Sequence, residues 1–289
     1  MDSNNQNINK HSTLVVVTWD GVSEPLKFIH FDASANFDIL LFDYSGEGKE
    51  IGNSFSKHQL LLSKKTENKG QVYLALYNYL NDNKNLNYSF IGIMDDDLLF
   101  NISEFNYMLK VAELHNLHVF QPSIAKDSYF SHRQFVHQSG VFVTKTKWIE
   151  MMAPFYDIEL FNAAAPYFPL VNSGQGIDLY LMPCLQLINN KNNTAIVHTA
   201  TIKHCRPIRS HLRLYSNGLT GDQEIELIRQ KAIQLVGKQE YSNLFDSTFR
   251  RQILKEGNRF VYLTEKYLLS FKNLWFSVIS RLKEYSHFS

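Results

Sequence analysis

Cysteine is scarce: only Cys184 and Cys205 occur in 289 residues. Two thiols build no disulfide framework, and the expected compartment is a reducing one. Neither sign of charge is in excess, since 29 Lys and Arg face 28 Asp and Glu for a formal net charge of +1. Bulk electrostatic attraction to nucleic acid is thereby excluded. No apolar run is long enough to cross a bilayer as a helix. Residues 1–12, MDSNNQNINKHS, lack the apolar stretch of a signal peptide and read as a disordered N-terminus. With no secretion route in view, the Asn-x-Ser/Thr triplets at Asn87, Asn101 and Asn192 carry no expectation of glycosylation, and a cytoplasmic protein is expected. There is no internal repeat. What is present is apolar bulk: 44% hydrophobic residues suffice for one large α/β domain with a helical appendage.

The segment Leu14 to Thr18 is a short β-branched run, best read as a buried strand. Phe37 to Asp43 is a second, closed by the loop signal Tyr44-Ser45-Gly46-Glu47-Gly48. Residues 58–62 form a third, Gly70 to Leu80 fits a helix, and residues 89–94 form the next strand. Asn101-Ile102-Ser103-Glu104 has capping-box spacing ahead of a helix running to about residue 115. His118 to Pro122 follows as a strand, and so does Trp148 to Pro154. Residues 178–188 read as a helix and Ala195 to His198 as a strand, and the chain from about 222 is helical by pattern. This alternation predicts a mostly parallel sheet flanked by helices over residues 13–215, with a helical extension over 216–289. Within the extension, residues 260–289 place Phe260, Leu263, Tyr267, Phe271, Leu274, Val278, Leu282 and Tyr285 on one face. Such a face packs on its own domain, binds a partner or lies on a membrane surface.

The most informative segment is Phe90-Ile91-Gly92-Ile93-Met94-Asp95-Asp96-Asp97, an apolar strand running into three carboxylates. If the extended backbone continues, Asp95 and Asp97 share a face and Asp96 points away. Two carboxylates on one face repel each other, and a divalent cation with a taste for hard oxygen relieves that repulsion. The bland alternative is a solvated acidic turn. In open α/β sheets, ligands bind beyond the carboxyl ends of the strands. Thr18, Asp43 and Asp96 sit at such ends and are expected, with Arg206, to bind a nucleotide diphosphate. His204, between a strand and Arg206-Pro207, is the candidate third ligand beside Asp95 and Asp97. One nitrogen among oxygens favours Mn²⁺ over Ca²⁺. Lys203, Arg206 and Arg209 offer charge for phosphate. Asp178, behind Gly174 and Gly176, reads either as an N-cap or as a general base; Glu150 is the reserve base.

Five motifs occur in order: Asp95-Asp96-Asp97; Gln121-Pro122-Ser123 with Asp127-Ser128-Tyr129; Glu150-Met151-Met152-Ala153-Pro154; Gly174-Gln175-Gly176-Ile177-Asp178; and His204-Cys205-Arg206-Pro207. Over about residues 13–210 the set resembles domain-of-unknown-function family 707, which looks like a branch of the glycosyltransferases with the GT-A fold. The resemblance implies that Asp95 and Asp97 act as an Asp-x-Asp motif holding Mn²⁺ or Mg²⁺ on a sugar nucleotide. It implies a metal-ligating His204 and an inverting base at Asp178. Ile177 stands where such enzymes often carry a second acid, and Gln175 where the family has Trp.

The expected function is a metal-dependent glycosyltransferase moving a sugar from a nucleotide diphosphate sugar to a glycan or glycolipid hydroxyl, in a surface-polysaccharide pathway. Residues 260–289 would then meet the inner face of a membrane. The alternatives are a metal-dependent phosphohydrolase using the same carboxylates and a non-catalytic sugar-binding module.

Overall fold

The computed structural model describes residues 11–48, 59–207, 213–246 and 254–256. Strand β1 (Thr13–Trp19) is wholly buried, as its β-branched run predicts. Its alternate side chains face two cores: Val15 and Val17 pack on one side of the sheet, Leu14 and Val16 on the other. After β2 (Ile29–His30) come β3 (Asp38–Asp43) and β4 (Gln59–Ser63), then α1 (Lys69–Asp82) and β5 (Phe90–Met94). Strands β4, β3, β1 and β5 pair in parallel in that spatial order. Helix α1 covers one face with Val72, Tyr73 and Leu76, each such burial contributing roughly 1.5–3 kcal/mol.

Beyond β5 the chain turns at Asp96–Asp97, makes β6 (Leu98–Asn101) and enters α2 (Ile102–Leu114). The capping box expected at Asn101 is not formed. The Asn101 amide instead donates to Glu104 Oε1 at 3.2 Å, and Asp32 caps from a distant loop through the Ser103 N–H at 2.9 Å. Strand β7 (Val119–Ile124) returns to the sheet, and β8 (Val143–Lys145) lies further along it. The expected strand over Trp148 to Pro154 is corrected: this stretch is an irregular strap, and β9 is only Phe155–Asp157. Proline at 154 has no N–H to donate, and the Met151 carbonyl accepts from the Lys69 ammonium rather than from a neighbouring strand. Strand β9 runs antiparallel between β5 and β7. Gly92 makes this insertion possible, because a Cβ there would lie 2.4 Å from the Phe155 ring.

Helix α3 (Ile158–Ala164) leads to a wide turn at Ile177–Leu181 and α4 (Met182–Ile188), and then to β10 (Thr194–His204). The strand expected to stop at His198 continues, with an irregularity between Val197 and Thr201. Past it, β10 pairs antiparallel with β6, setting His204 opposite Leu98. Helices α5 (Gly221–Val236) and α6 (Lys238–Leu244) agree with the helical pattern read beyond 222, and Thr220 with Gln223 makes a true capping box. Ile228 and Ala232 of α5 are fully buried, so this helix belongs to the same body as the sheet. Residues 254–256 form β11, which pairs with β8. Residues 1–10, Arg209 and the amphipathic segment 260–289 lie outside the described residues. Among the described residues no helix is long and apolar enough to cross a membrane.

A candidate donor and acid-base site at the strand ends

The edge where β1, β3, β5 and β10 end also receives side chains from α1 and from the wide turn at Ile177–Leu181. The antiparallel β9 contributes there through the strap before it, which carries Glu150 and Met151. The three carboxylates do not follow the period of two, because extended backbone ends at Met94 and Asp96–Asp97 form a turn. Asp96 is therefore part of the site rather than turned away from it. It accepts from Tyr44 Oη at 3.0 Å and from an Arg206 guanidinium nitrogen at 2.8 Å.

Asp97 is 6% exposed. Its Oδ2 lies 3.1 Å from His204 Nε2 and 3.2 Å from Arg206 Nε. Burial pushes its carboxyl up, but the His204 hydrogen bond, the imidazole charge and Arg206 outweigh burial and hold it below its ordinary value. The same hydrogen bond raises His204. His204 Nδ1 donates to the Tyr129 carbonyl at 3.3 Å, which leaves Nε2 as the nitrogen facing the carboxylates. Asp95 is paired elsewhere, with Lys69 Nζ at 2.8 Å. Burial raises its carboxyl and Lys69 opposes the rise. Asp95, Asp96 and Asp97 are thus matched by Lys69, Arg206 and His204. The repulsion expected between bare carboxylates is relieved by side chains of the chain itself.

A second pair of acids sits beside this cluster. Glu150 is 6% exposed; its N–H donates to Gln121 Oε1, and Oε2 is buried with no partner. Burial, then the charge of Asp178, pushes it up to about 8, against Lys69. The rise favours the neutral acid over the carboxylate that the reserve-base role requires. Asp178 is pushed up to about 6 by burial, opposed by the Leu179 N–H, Lys69 and the Met151 N–H. It is not an N-cap: Gly176, with φ +87°, holds that place, and Asp178 lies inside the wide turn. Such turns recur at functional sites. At ~6 the carboxylate is charged at neutral pH yet basic enough to take a proton.

The remaining expected residues divide. Thr18, whose hydroxyl donates to the Met94 carbonyl at 3.3 Å, lines a shallow cleft with Trp19, Asp95 and Asp96. Asp43 is fully buried, and its oxygens accept from Ser45, Gly48 and Ser63, so it shapes the loop after β3. Lys203 is paired with Asp127. Lys69 and Tyr44 escaped the sequence reading. A signal for Lys69 existed: a cation at the first position of a helix opposes the macrodipole and begs a reason.

The donor set can be tested against a divalent ion. Metal–ligand bonds of about 2.1 Å at right angles put two donors about 3.0 Å apart. The 3.1 Å between Asp97 Oδ2 and His204 Nε2 matches that edge. A ligating histidine generally donates its other N–H to a carbonyl or carboxylate, as Nδ1 does here to Tyr129. Among the described residues no group of three or more His, Cys, Asp or Glu is arranged for a metal, so the protein offers a pair. Mg²⁺-type ions use such small protein sets together with substrate phosphates.

No protein-family model matches the chain, and no curated protein sequence does. Solved structures do. The crystal structure of GalNAc-T7 with UDP, GalNAc and Mn²⁺ is similar over 81% of this chain, with a TM-score of 0.51 and 10% identity. This chain spans 49% of that one. The S. aureus TarS 1–349 structure in complex with UDP-GlcNAc is similar over 82% of this chain and 74% of its own, with a TM-score of 0.47 and 13% identity. The chain has the α/β fold of the GT-A glycosyltransferases, a mixed and mostly parallel sheet flanked by helices.

Proposed function

We propose that this chain is a metal-dependent, inverting glycosyltransferase that takes a sugar from a nucleoside diphosphate and passes it to a hydroxyl of a glycan or glycolipid. A relation to domain-of-unknown-function family 707 is part of the proposal. The observation that carries it is the Asp97–His204 pair, spaced as neighbouring ligands, with His204 oriented by the Tyr129 carbonyl. Asp97 and His204 would hold Mn²⁺ or Mg²⁺, which supplies charge stabilisation for the leaving diphosphate. Arg206, 43% exposed and shared between Asp96 and Asp97, is placed to add charge to the same phosphates. Asp178 takes the proton of the attacking hydroxyl. Glu150, neutral and buried beside it, keeps a second negative charge out of the acceptor's path. The GT-A neighbour crystallised with UDP and Mn²⁺ agrees with this assignment of donor and ion.

A phosphohydrolase on the same carboxylates would gather a richer ligand set than a pair. The decayed-module reading sits poorly with an acid held at ~6 near the Asp97–His204 pair. The proposed location is the cytoplasm, with 260–289 meeting a membrane surface. The deciding experiment is a thermal-shift screen of sugar nucleotides with and without Mn²⁺, followed by an assay for nucleoside diphosphate release. Stabilisation by donor only when Mn²⁺ is present supports the reading. Rapid phosphate release from simple esters, or no response to any sugar nucleotide, overturns it.

A further inference from the structure

Lys69 stands at the first position of α1, where a positive charge faces the positive end of the helix dipole, and the first turn holds no acid to compensate. The backbone there is held hard. A Cβ on Gly70 would lie 1.8 Å from the Val171 carbonyl oxygen, and the Gly70 N–H donates to the Asn172 carbonyl at 3.0 Å. Asn68 caps the helix through the Lys69 N–H at 2.8 Å. From this fixed base the Lys69 ammonium, on a side chain 22% exposed, reaches two acceptors: Asp95 Oδ2 at 2.8 Å and the Met151 carbonyl at 2.7 Å. The N–H of Met151 and the charge of Lys69 both bear on Asp178 and favour its ionised form. Lys69 therefore bridges Asp95 and residue 151, next to the Asp178 carboxylate.

We propose that Lys69 is a positioning residue for the transfer, bridging Asp95 of the donor side to residue 151 next to the Asp178 carboxylate, and so fixing the base relative to the donor. This rests on the transferase reading. The groups that bear on Asp178 from the surrounding elements are Lys69 and Tyr73 of α1, Glu150 of the strap and Tyr156 of β9. Of these Lys69 is the cation. Its removal loosens the spacing and also takes away the charge that favours ionised Asp178. A purely structural lysine would do neither selectively.

The test compares wild type, Lys69→Met and Lys69→Arg by steady-state kinetics across pH, with circular dichroism as the check on folding. Lys69→Met is expected to lower kcat about 10²-fold, the scale of a displacement near 1 Å. The donor KM should stay close to wild type, and the acid limb of kcat should move to higher pH. Lys69→Arg keeps the charge but not the reach: its limb should stay in place while kcat remains reduced. Wild-type kcat in Lys69→Met overturns the proposal, as does a loss of kcat with an unmoved limb. Should Lys69→Met not fold, Lys69→Arg decides, and wild-type kcat there overturns it. If wild type itself releases no sugar from any nucleoside diphosphate sugar, the transferase reading fails. The link between Lys69 and Asp178 is then decided in the free protein by carboxyl-carbon NMR of Asp178 in wild type and Lys69→Met, or in wild type and Lys69→Gln if Lys69→Met does not fold. A raised pKa in the variant supports the link, and an unchanged one overturns it.

Discussion

The two acidic regions of this site are chemically alike and electrostatically opposite. Asp97 is buried but faces His204 and Arg206, and it is held below its ordinary pKa. Asp178 and Glu150 are also buried; backbone N–H groups and Lys69 oppose the rise at Asp178, Lys69 opposes it at Glu150, and both are nonetheless pushed up. Burial acts the same way on all of them. The partners decide the sign. Environments that drive carboxylates apart in pKa divide the labour between a charge-holding acid and a proton-handling one.

The largest effect expected from breaking this contrast is at Asp178. Asp178→Asn should lower turnover by about two to four orders of magnitude while donor binding persists. In wild type, kcat should fall as pH drops through about 6, because the raised carboxyl takes a proton and stops being a base. Near-normal turnover in the variant would end the comparison on the base side. Next is Asp97→Asn. Donor at a hundredfold its Kd stabilises a native protein by about 2.7 kcal/mol. That Mn²⁺-dependent shift should vanish in the variant, and a full shift would place the metal elsewhere.

A smaller loss is expected at Glu224 of α5, which is fully buried and accepts from the N–H groups of Asn172 and Ser173, the Ser173 hydroxyl and Asn217. Glu224→Gln turns an amide donor against these donors and should cost about 1–3 kcal/mol in urea unfolding. It should also loosen the loop leading to Asp178, lowering kcat more than donor affinity. An unchanged unfolding midpoint would refute the anchor. The smallest effect on activity is expected from Glu150→Gln, which copies the neutral acid. Its signature is in stability. Native Glu150 keeps its proton up to about 8 while the unfolded chain releases it near the ordinary carboxyl value, so native stability falls as pH rises between those points. The variant should show a flatter decline of Tm over that range, and parallel declines would place Glu150 in a wetter site.

The sequence by itself determined the layered α/β class, the strands that run to Thr18, Asp43 and Met94, and the placement of chemistry at strand ends. Those features are local: β-branched runs, loop signals and helical spacing are each written in consecutive residues. Its reading failed where the deciding partner lies far along the chain. Trp148 to Pro154 has strand-like apolar content, yet Lys69, from far along the chain, takes the Met151 carbonyl. Asn101 to Glu104 has the right spacing, yet Asp32 supplies the cap. The acidic run suggested bare carboxylates, yet Lys69, Arg206 and His204 arrive from 26, 110 and 107 positions away to pair with Asp95, Asp96 and Asp97. Which acid is held low and which is driven up depends on these long-range contacts and on burial. Both exist only once β10 has crossed to β6 and the strap before β9 has closed over α1.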